Sequence, residues 1–260
     1  MPNKTQIRRE EVLLLLSQVP ISSTQQLASA TNVSAETMRK DLDALAESGR
    51  IIKVHGGVAL ANAVSAIPFD QRAQKNTELK MKIAGAAAGL VSHGDSILME
   101  SCTTSYELAK VLAQDKELLQ TLIVFTNSLA IASLFSSGDK CKKLFIIGGW
   151  VNQDEHASHG YQTTDMMRNI HVNKAFLSGA AINDDLVITG YYDDDVAFQQ
   201  TALQCAESTV LMVDSSKFGK NAILTVSHLS RVKFLVTDKV LTRDLEHQVN
   251  LMNVTYICAT

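Results

Sequence analysis

No apolar run in this 260-residue chain approaches the ~18–20 residues that cross a bilayer. The longest helix-like candidate, IAGAAAGLV at 83–91, is too short and too rich in Ala and Gly. The opening MPNKTQIRREEVLLLL sets cations before an apolar run, as a signal peptide does. Glu10 and Glu11 interrupt it and no small-residue cleavage site follows directly, so a cytoplasmic protein with no membrane partner is expected. There is no CxxC pair. Cys102, Cys141, Cys205 and Cys258 are scattered, which excludes a disulfide framework and a zinc site built on Cys spacing, and predicts reduced, mostly buried thiols. No large excess of one charge is present. The net charge is -3, and the first 60 residues carry seven Lys/Arg against six Asp/Glu, a balance that excludes a general polyanion binder and permits DNA binding at the front. No internal repeat or low-complexity tract occurs.

What is present first is helical periodicity. Ile7, Val12, Leu15 and Leu16 predict an amphipathic helix over about 5–18, ended by Pro20. Ser23 followed by Gln26 fits a capping box opening a short second helix, with Leu27 and Ala28 inward, Thr31-Asn32 as its stop and Val33 returning to the core. Ser34 suits the N-cap of a third helix whose buried side is Met38, Leu42 and Leu45. Glu36, Thr37, Arg39, Lys40 and Asp43 fall on its other faces, and Ser48-Gly49 ends it. RIIKVHGGVAL then alternates in part around a Gly56-Gly57 turn and reads as a hairpin, or wing.

Three short helices and a hairpin in about 60 residues make a winged helix-turn-helix, which lays its last helix in a DNA major groove. Arg39 and Lys40 then sit where phosphates and base edges lie. Ser34 and Thr37 help place the helix, and Arg50, Lys53 and His55 of the wing reach flanking phosphates. Adjacent cations alone describe any solvated helix face. The ordered series of capped helices and wing favours double-stranded operator DNA.

Residues 58–75 read as a linker, with small residues dominating and Pro68 breaking any helix, between a domain at 1–57 and one at 76–260. Beyond it, apolar runs at 96–99, 122–126, 144–147, 174–178, 209–213, 233–237 and 254–258 are separated in several places by helical stretches such as 78–91, 104–113 and 195–207. That pattern predicts a mostly parallel sheet covered on both faces.

In such a sheet ligands bind beyond the carboxyl ends of the strands. After the first run stand Glu100, Ser101, Cys102, Thr103, Thr104 and Ser105, leading into YELAKVL. Hydroxyls and free N–H groups opening a helix fit a phosphate; ordinary capping by Thr103 or Thr104 is the alternative. Asn127 and Ser128 follow the second run. Gly148 and Gly149 follow the third and would let a ligand approach the backbone. Lys217 lies in the DSSKFG loop after TVLMV, suited to a phosphate or sugar hydroxyl, or a plain surface lysine. His156 and His159 have metal-pair spacing without a third ligand. Cys102 has no recognisable base and reads as a buried or capping thiol. Asp193, Asp194 and Asp195 read as a solvated loop or helix start, with Asp195 facing the pocket. No cofactor is expected.

In NVSAETMRKDLDALAESGRIIKVHGGVAL, and then in IPFDQRAQKN, ELKMKIAGAA, GDSILME, TNS, IIGG and DSSKFGK, the chain resembles the DeoR-type bacterial transcription regulators over nearly its whole length. It departs from the family pattern at Met38, Lys40 and Lys53, and in the phosphate loop at Glu100 and Cys102. The resemblance implies a sugar-phosphate-isomerase-like (Rossmann-like) α/β sensor domain and a homo-oligomeric regulator, a repressor of a carbohydrate-utilisation operon, that answers a phosphorylated sugar or sugar alcohol. A sugar-phosphate isomerase with an accessory N-terminal domain is the rival reading, with Glu100 or Asp195 as its base. A protein-interaction module using the winged helix is a third.

Overall fold

The structure, a computed structural model, describes residues 4–18, 21–48, 50–54, 57–60, 69–137, 141–222 and 224–260. The chain divides into two compact units, residues 1–67 and 68–260.

The first unit is α1 (Lys4–Gln18), β1 (Ile21–Ser22), α2 (Thr24–Ala30), α3 (Ala35–Glu47), β2 (Ile51–Val54) and β3 (Gly57–Leu60). Its strands form an antiparallel sheet in the order β1-β3-β2. The caps are formed as the side chains dictate. Ser23 Oγ accepts the Gln26 N–H at 3.2 Å while Gln26 Oε1 accepts the Ser23 N–H at 2.8 Å, and Ser34 Oγ accepts the Thr37 N–H at 3.2 Å. Val12, Leu16, Leu27, Met38, Leu42, Leu45, Ile51 and Val58 make the core.

Three local readings change. Ile7 is exposed; at about 100° per residue it lies well round the helix from the buried Val12, Leu13 and Leu16. Gly57 is the first residue of β3, paired with Val54, so it stands in the strand that closes the hairpin. A Cβ there would lie 2.4 Å from the Ser22 carbonyl oxygen, so glycine is what lets β1 approach. His55 and Gly56 lie outside the described residues. Finally, Asp41 is buried. It occupies the position between Met38 and Leu42 on the apolar stripe, and it accepts from Arg8 Nε at 2.6 Å and Arg9 Nε at 2.9 Å, tying α3 to α1.

The segment expected as a linker over 58–75 contains structure at both ends: residues 58–60 belong to β3, and α4 (Phe69–Gln74) opens the second unit. Residues 61–68 lie outside the described residues. A proline directly before a helix marks its start rather than preventing it.

The second unit continues with α5 (Thr77–Ala88), β4 (Ser96–Met99), α6 (Thr103–Gln114), α7 (Lys116–Leu119), β5 (Ile123–Thr126), α8 (Leu129–Ser137) and β6 (Lys143–Ile146). A ribbon of β7 (Trp150–Asn152) and β8 (Ala157–His159) precedes α9 (Tyr161–Arg168) and β9 (Val172–Leu177). Then come β10 (Ala181–Ile182), β11 (Val187–Gly190), α10 (Asp193–Cys205), β12 (Ala206–Met212), β13 (Leu224–His228), β14 (Phe234–Thr237), α11 (Arg243–Leu251) and β15 (Thr255–Cys258).

Among the described residues, a seven-stranded parallel sheet runs β15-β14-β12-β9-β4-β5-β6. Each of the seven apolar runs supplies one strand. Strand side chains alternate between faces. Ile97, Met99, Val210 and Met212 join one core with α5, α6 and α8, while Leu98, Ala175 and Leu177 join another with Phe198 and Ala202 of α10. The small antiparallel sheet β10-β11-β13 and the β7-β8 ribbon were not expected, since their strands are either two or three residues long or, as in VITG and LTVSH, broken by polar residues and glycine, and leave no continuous apolar run. From β4 the chain winds outward through β5 and β6, then returns to place β9 on the other side of β4. The order reverses between β4 and β9, and that switch point is where an open sheet leaves a crevice at its carboxyl edge.

Candidate functional site

Two surfaces carry the residues that the sequence singles out. On α3, Ser34 caps the helix and its hydroxyl lies 2.9 Å from that of Thr37. Lys40 pairs with Glu36 one turn back at 3.2 Å, Lys53 with Asp43 at 2.7 Å, and Arg50 with Glu10. All these pairs are exposed, and exposed ion pairs are worth ~0–1 kcal/mol, so a phosphate can displace the acid. Arg39 is exposed and, among the described residues, no acidic side chain lies against it. Of the two cations of α3, Arg39 and Lys40, it is the one with no acidic partner to give up among the described residues. Arg39→Ala is therefore expected to weaken operator binding by ~1–3 kcal/mol and leave ligand binding intact, as fluorescence anisotropy and calorimetry on one preparation would report.

The second surface gathers at the switch point. Glu100 follows β4 and is 6% exposed. It accepts the Ser178 N–H at 2.7 Å and Gln199 Nε2 at 2.6 Å, so it joins the ends of β4 and β9 to α10. Burial pushes its carboxyl up to about 8, opposed by these two donors. The next residues turn into α6. The N-cap is Cys102, not Thr103 or Thr104: its Sγ accepts the Ser105 N–H at 3.2 Å. Burial, with Glu100 adding to it, pushes this thiol up to about 11, which makes it a cap and not a nucleophile. Because the cap acts on Ser105, the N–H groups and hydroxyls of Thr103 and Thr104 have no acceptor or donor among the described residues. A helix N-terminus with unengaged N–H groups carries partial positive charge and accepts anions.

Asn127 holds this loop from beneath. Its Oδ1 accepts the Ser101 N–H at 2.8 Å and its Nδ2 donates to the Ser158 carbonyl at 3.1 Å. Both ends of the amide are engaged, so it shapes the loop rather than offering a free donor. Ser128 is buried and caps α8 through the Ile131 N–H. Gly149 is used by its own chain: a Cβ there would lie 2.1 Å from the His159 carbonyl oxygen and 2.4 Å from Thr163 Oγ1. Gly148 faces open space.

Lys217 stands in a 3-10 turn, Ser215–Lys217, after β12, half-buried, with no acceptor against its Nζ among the described residues. Burial pushes its pKa down, Asp214 opposes this and Arg72 adds to it. Asp214 shapes the turn by accepting the Ser216 N–H at 2.9 Å.

Several residues here were not foreseen. Lys80 is buried, and its Nζ donates to the Arg72 carbonyl and, at 2.6 Å, to that of Lys75. Burial lowers its pKa, with Asp214 opposing. Arg72 pairs with Glu155. Asp195 is 3.7 Å from His159 Nδ1 and is pushed up to about 6 by desolvation, against the pull of Arg72. His159 is buried beside Trp150, and its Nε2 has no hydrogen-bond partner among the described residues. His156 packs instead on Phe69 and lies 3.4 Å from Asp70, so the two histidines go to different neighbours. No group of three His, Cys, Asp or Glu set to hold a metal occurs among the described residues. The four cysteines are free, three of them buried. No helix among the described residues is long and apolar enough to cross a membrane.

A winged helix-turn-helix joined in one chain to an α/β unit with a helix-opening loop at its switch point is the build of a DNA-binding regulator with a sensor domain. The profile of the DeoR-like helix-turn-helix domain matches residues 8–64, and that of the DeoR C-terminal sensor domain matches residues 75–239. The chain belongs to the DeoR family of transcription regulators. It is 29% identical to an uncharacterized HTH-type transcriptional regulator of Haemophilus influenzae, over 95% of this chain and 94% of the relative. It is 26% identical to the glycerol-3-phosphate regulon repressor of Escherichia coli K12, over 89% of this chain and 90% of the relative. A ribose 5-phosphate isomerase A from Methanocaldococcus jannaschii superposes with a TM-score of 0.40 at 21% identity, over 55% of each chain.

Proposed function

We propose that this chain is a cytoplasmic, homo-oligomeric repressor of a carbohydrate-utilisation operon, released from its operator by a phosphorylated sugar or sugar alcohol bound at the β4 end. The observation that carries this reading is the α6 N-terminus at the switch of strand order: Thr103 and Thr104 present N–H and hydroxyl groups there that are unengaged among the described residues, and Lys217, at the carboxyl end of β12 in the same sheet, supplies a cation with no acceptor among the described residues. The named role of the Escherichia coli relative, a repressor of a glycerol-3-phosphate regulon, agrees with a phosphorylated ligand. A winged unit has a small footprint, so two copies on paired half-sites supply the affinity a repressor needs.

The chain acts by binding and not by turnover. A base for aldose–ketose chemistry must reach the substrate proton, and both oxygens of Glu100 are engaged by Ser178 and Gln199. The test is a thermal-shift screen of phosphorylated sugars and polyols against their unphosphorylated parents, with turnover followed in parallel. Stabilisation by phosphorylated forms alone, without product, is expected. Equal shifts from the parents would remove the phosphate from the reading, and turnover would convert it to the enzyme.

A further inference from the structure

Arg72 lies outside the loop to which the sequence points, on the short helix α4 that opens the α/β unit. Its guanidinium pairs with Glu155 Oε2 in the β7-β8 ribbon. Behind the larger contribution of burial, its charge acts to lower the pKa values of Glu100, Cys102, Asp195 and Lys217. Ser101 Oγ donates to the Glu155 carbonyl at 3.3 Å, which sets the ribbon against the phosphate loop. The Glu155 side chain is 12% exposed, and its other oxygen, Oε1, is buried with no hydrogen-bond partner among the described residues. An unsatisfied buried acceptor costs ~1–3 kcal/mol. The Arg72–Glu155 pair is therefore an incompletely satisfied arrangement at the edge of a site built for anions.

Helix α4 is fastened at both ends. The Phe69 N–H donates to the Asp154 carbonyl at 2.9 Å, and the Phe69 ring packs edge-on against Tyr106 of α6 and His156 of the ribbon, with centroids 5.9 and 5.7 Å away. At the other end, Lys80 Nζ binds the carbonyls of Arg72 and Lys75, placing a cation at the negative helix terminus. These attachments run to α6, to the β7-β8 ribbon and to Lys80. In sequence, α4 is the first described element after the winged unit, joined to it through residues 61–68.

We propose that Arg72 is a further ligand of the effector's phosphate, that the phosphate draws its guanidinium from Glu155, and that α4 passes this exchange to the chain leading to the winged unit. The inference rests on the phosphate reading of the 101–105 loop. The guanidinium fork matches two phosphate oxygens at once, and a dianion holds it more strongly than one carboxylate oxygen does. Burial already pushes the Glu155 carboxyl up, and losing the opposing Arg72 charge pushes it further toward its neutral form, with the proton drawn from the buffered solvent. Lys217 and Arg72 then approach the phosphate from two elements, and α4 is the one continuous with the DNA-binding unit.

The test uses the full-length chain, with inorganic phosphate and glycerol 3-phosphate as probes, in calorimetry and in peptide-resolved deuterium exchange. In the unaltered chain, exchange slows over 101–106 and changes over 69–76. Arg72→Gln binds phosphate about 10–100-fold more weakly and loses the 69–76 response. Glu155→Gln, which removes the competing charge, binds phosphate about threefold more tightly or better. A purely structural role for the pair would weaken binding in both variants, and that result overturns the proposal. Slowed exchange at 101–106 with 69–76 unmoved, and unchanged affinity in Arg72→Gln, also overturns it while leaving the phosphate reading in place. No protection at 101–106 by either probe removes the phosphate reading, and this proposal with it.

Discussion

Asp41→Ala is expected to abolish operator binding while the α/β unit keeps its ligand affinity. Asp41 is 2% exposed and balances two arginines of α1. Removing one side of a buried ion pair typically costs ~3–5 kcal/mol. Arg8 and Arg9 are 20% and 32% exposed and can turn toward water, so a loss of about 3 kcal/mol, at the lower end of that range, is expected. A unit of this size has only a few kcal/mol of stability in total, so such a loss removes most of it. The substitution removes no DNA contact; it frees α1 from α3 and with it the placement of Arg39. Denaturant unfolding of the variant should show an early transition for the winged unit and an unchanged one for the α/β unit. An Asp41→Ala protein that unfolds like the parent and still binds DNA would show that the Arg8–Asp41–Arg9 cluster does not hold α3 in place.

Lys217→Ala is the second large effect. Here the winged unit is untouched and the phosphate loses a charge-assisted donor, a loss of ~1.5–3 kcal/mol, or roughly 10–100-fold in effector affinity. The expected protein binds its operator normally and stays bound at effector concentrations that release the parent. Anisotropy of a labelled operator, titrated with the ester from the thermal-shift screen, reads this directly. A midpoint equal to the parent's would place Lys217 outside the site. Arg39→Ala gives the mirror image, losing DNA and keeping ligand.

These residues differ in how far the sequence reveals them. The seven strands of the main sheet are legible because a parallel sheet covered on both faces needs continuous apolar runs. The caps at Ser23 and Ser34 are legible because the partner lies three residues away. Asp41 is legible in hindsight: a charged residue at the fourth position of a stripe holding Met38, Leu42 and Leu45 must have a buried partner, and Arg8 and Arg9 stand on the neighbouring helix. The strand-end loops are legible through the rule for open sheets, but the direction of each side chain is not. Asn127, Ser128 and Gly149 fall beside the crevice, yet each is engaged with its own chain. Arg72 and Glu155 are 83 positions apart, and no local pattern links them. Lys80 looks like one of many helix lysines until the carbonyls of Arg72 and Lys75 are seen to converge on it. Local chemistry is written in local sequence; the charge network of the site arises only when α4, α6, α10 and the β7-β8 ribbon come together.

Linkage joins the two units in one measurable quantity. If an ester at the β4 end weakens the grip on DNA, then DNA weakens the grip on the ester by the same factor. The decisive measurement is therefore a pair of titrations on one protein preparation: operator affinity with and without saturating phosphate ester, and ester affinity with and without saturating operator. The account predicts both affinities to fall by one common factor. An ester that binds at the 101–105 loop yet leaves operator affinity unchanged would contradict it.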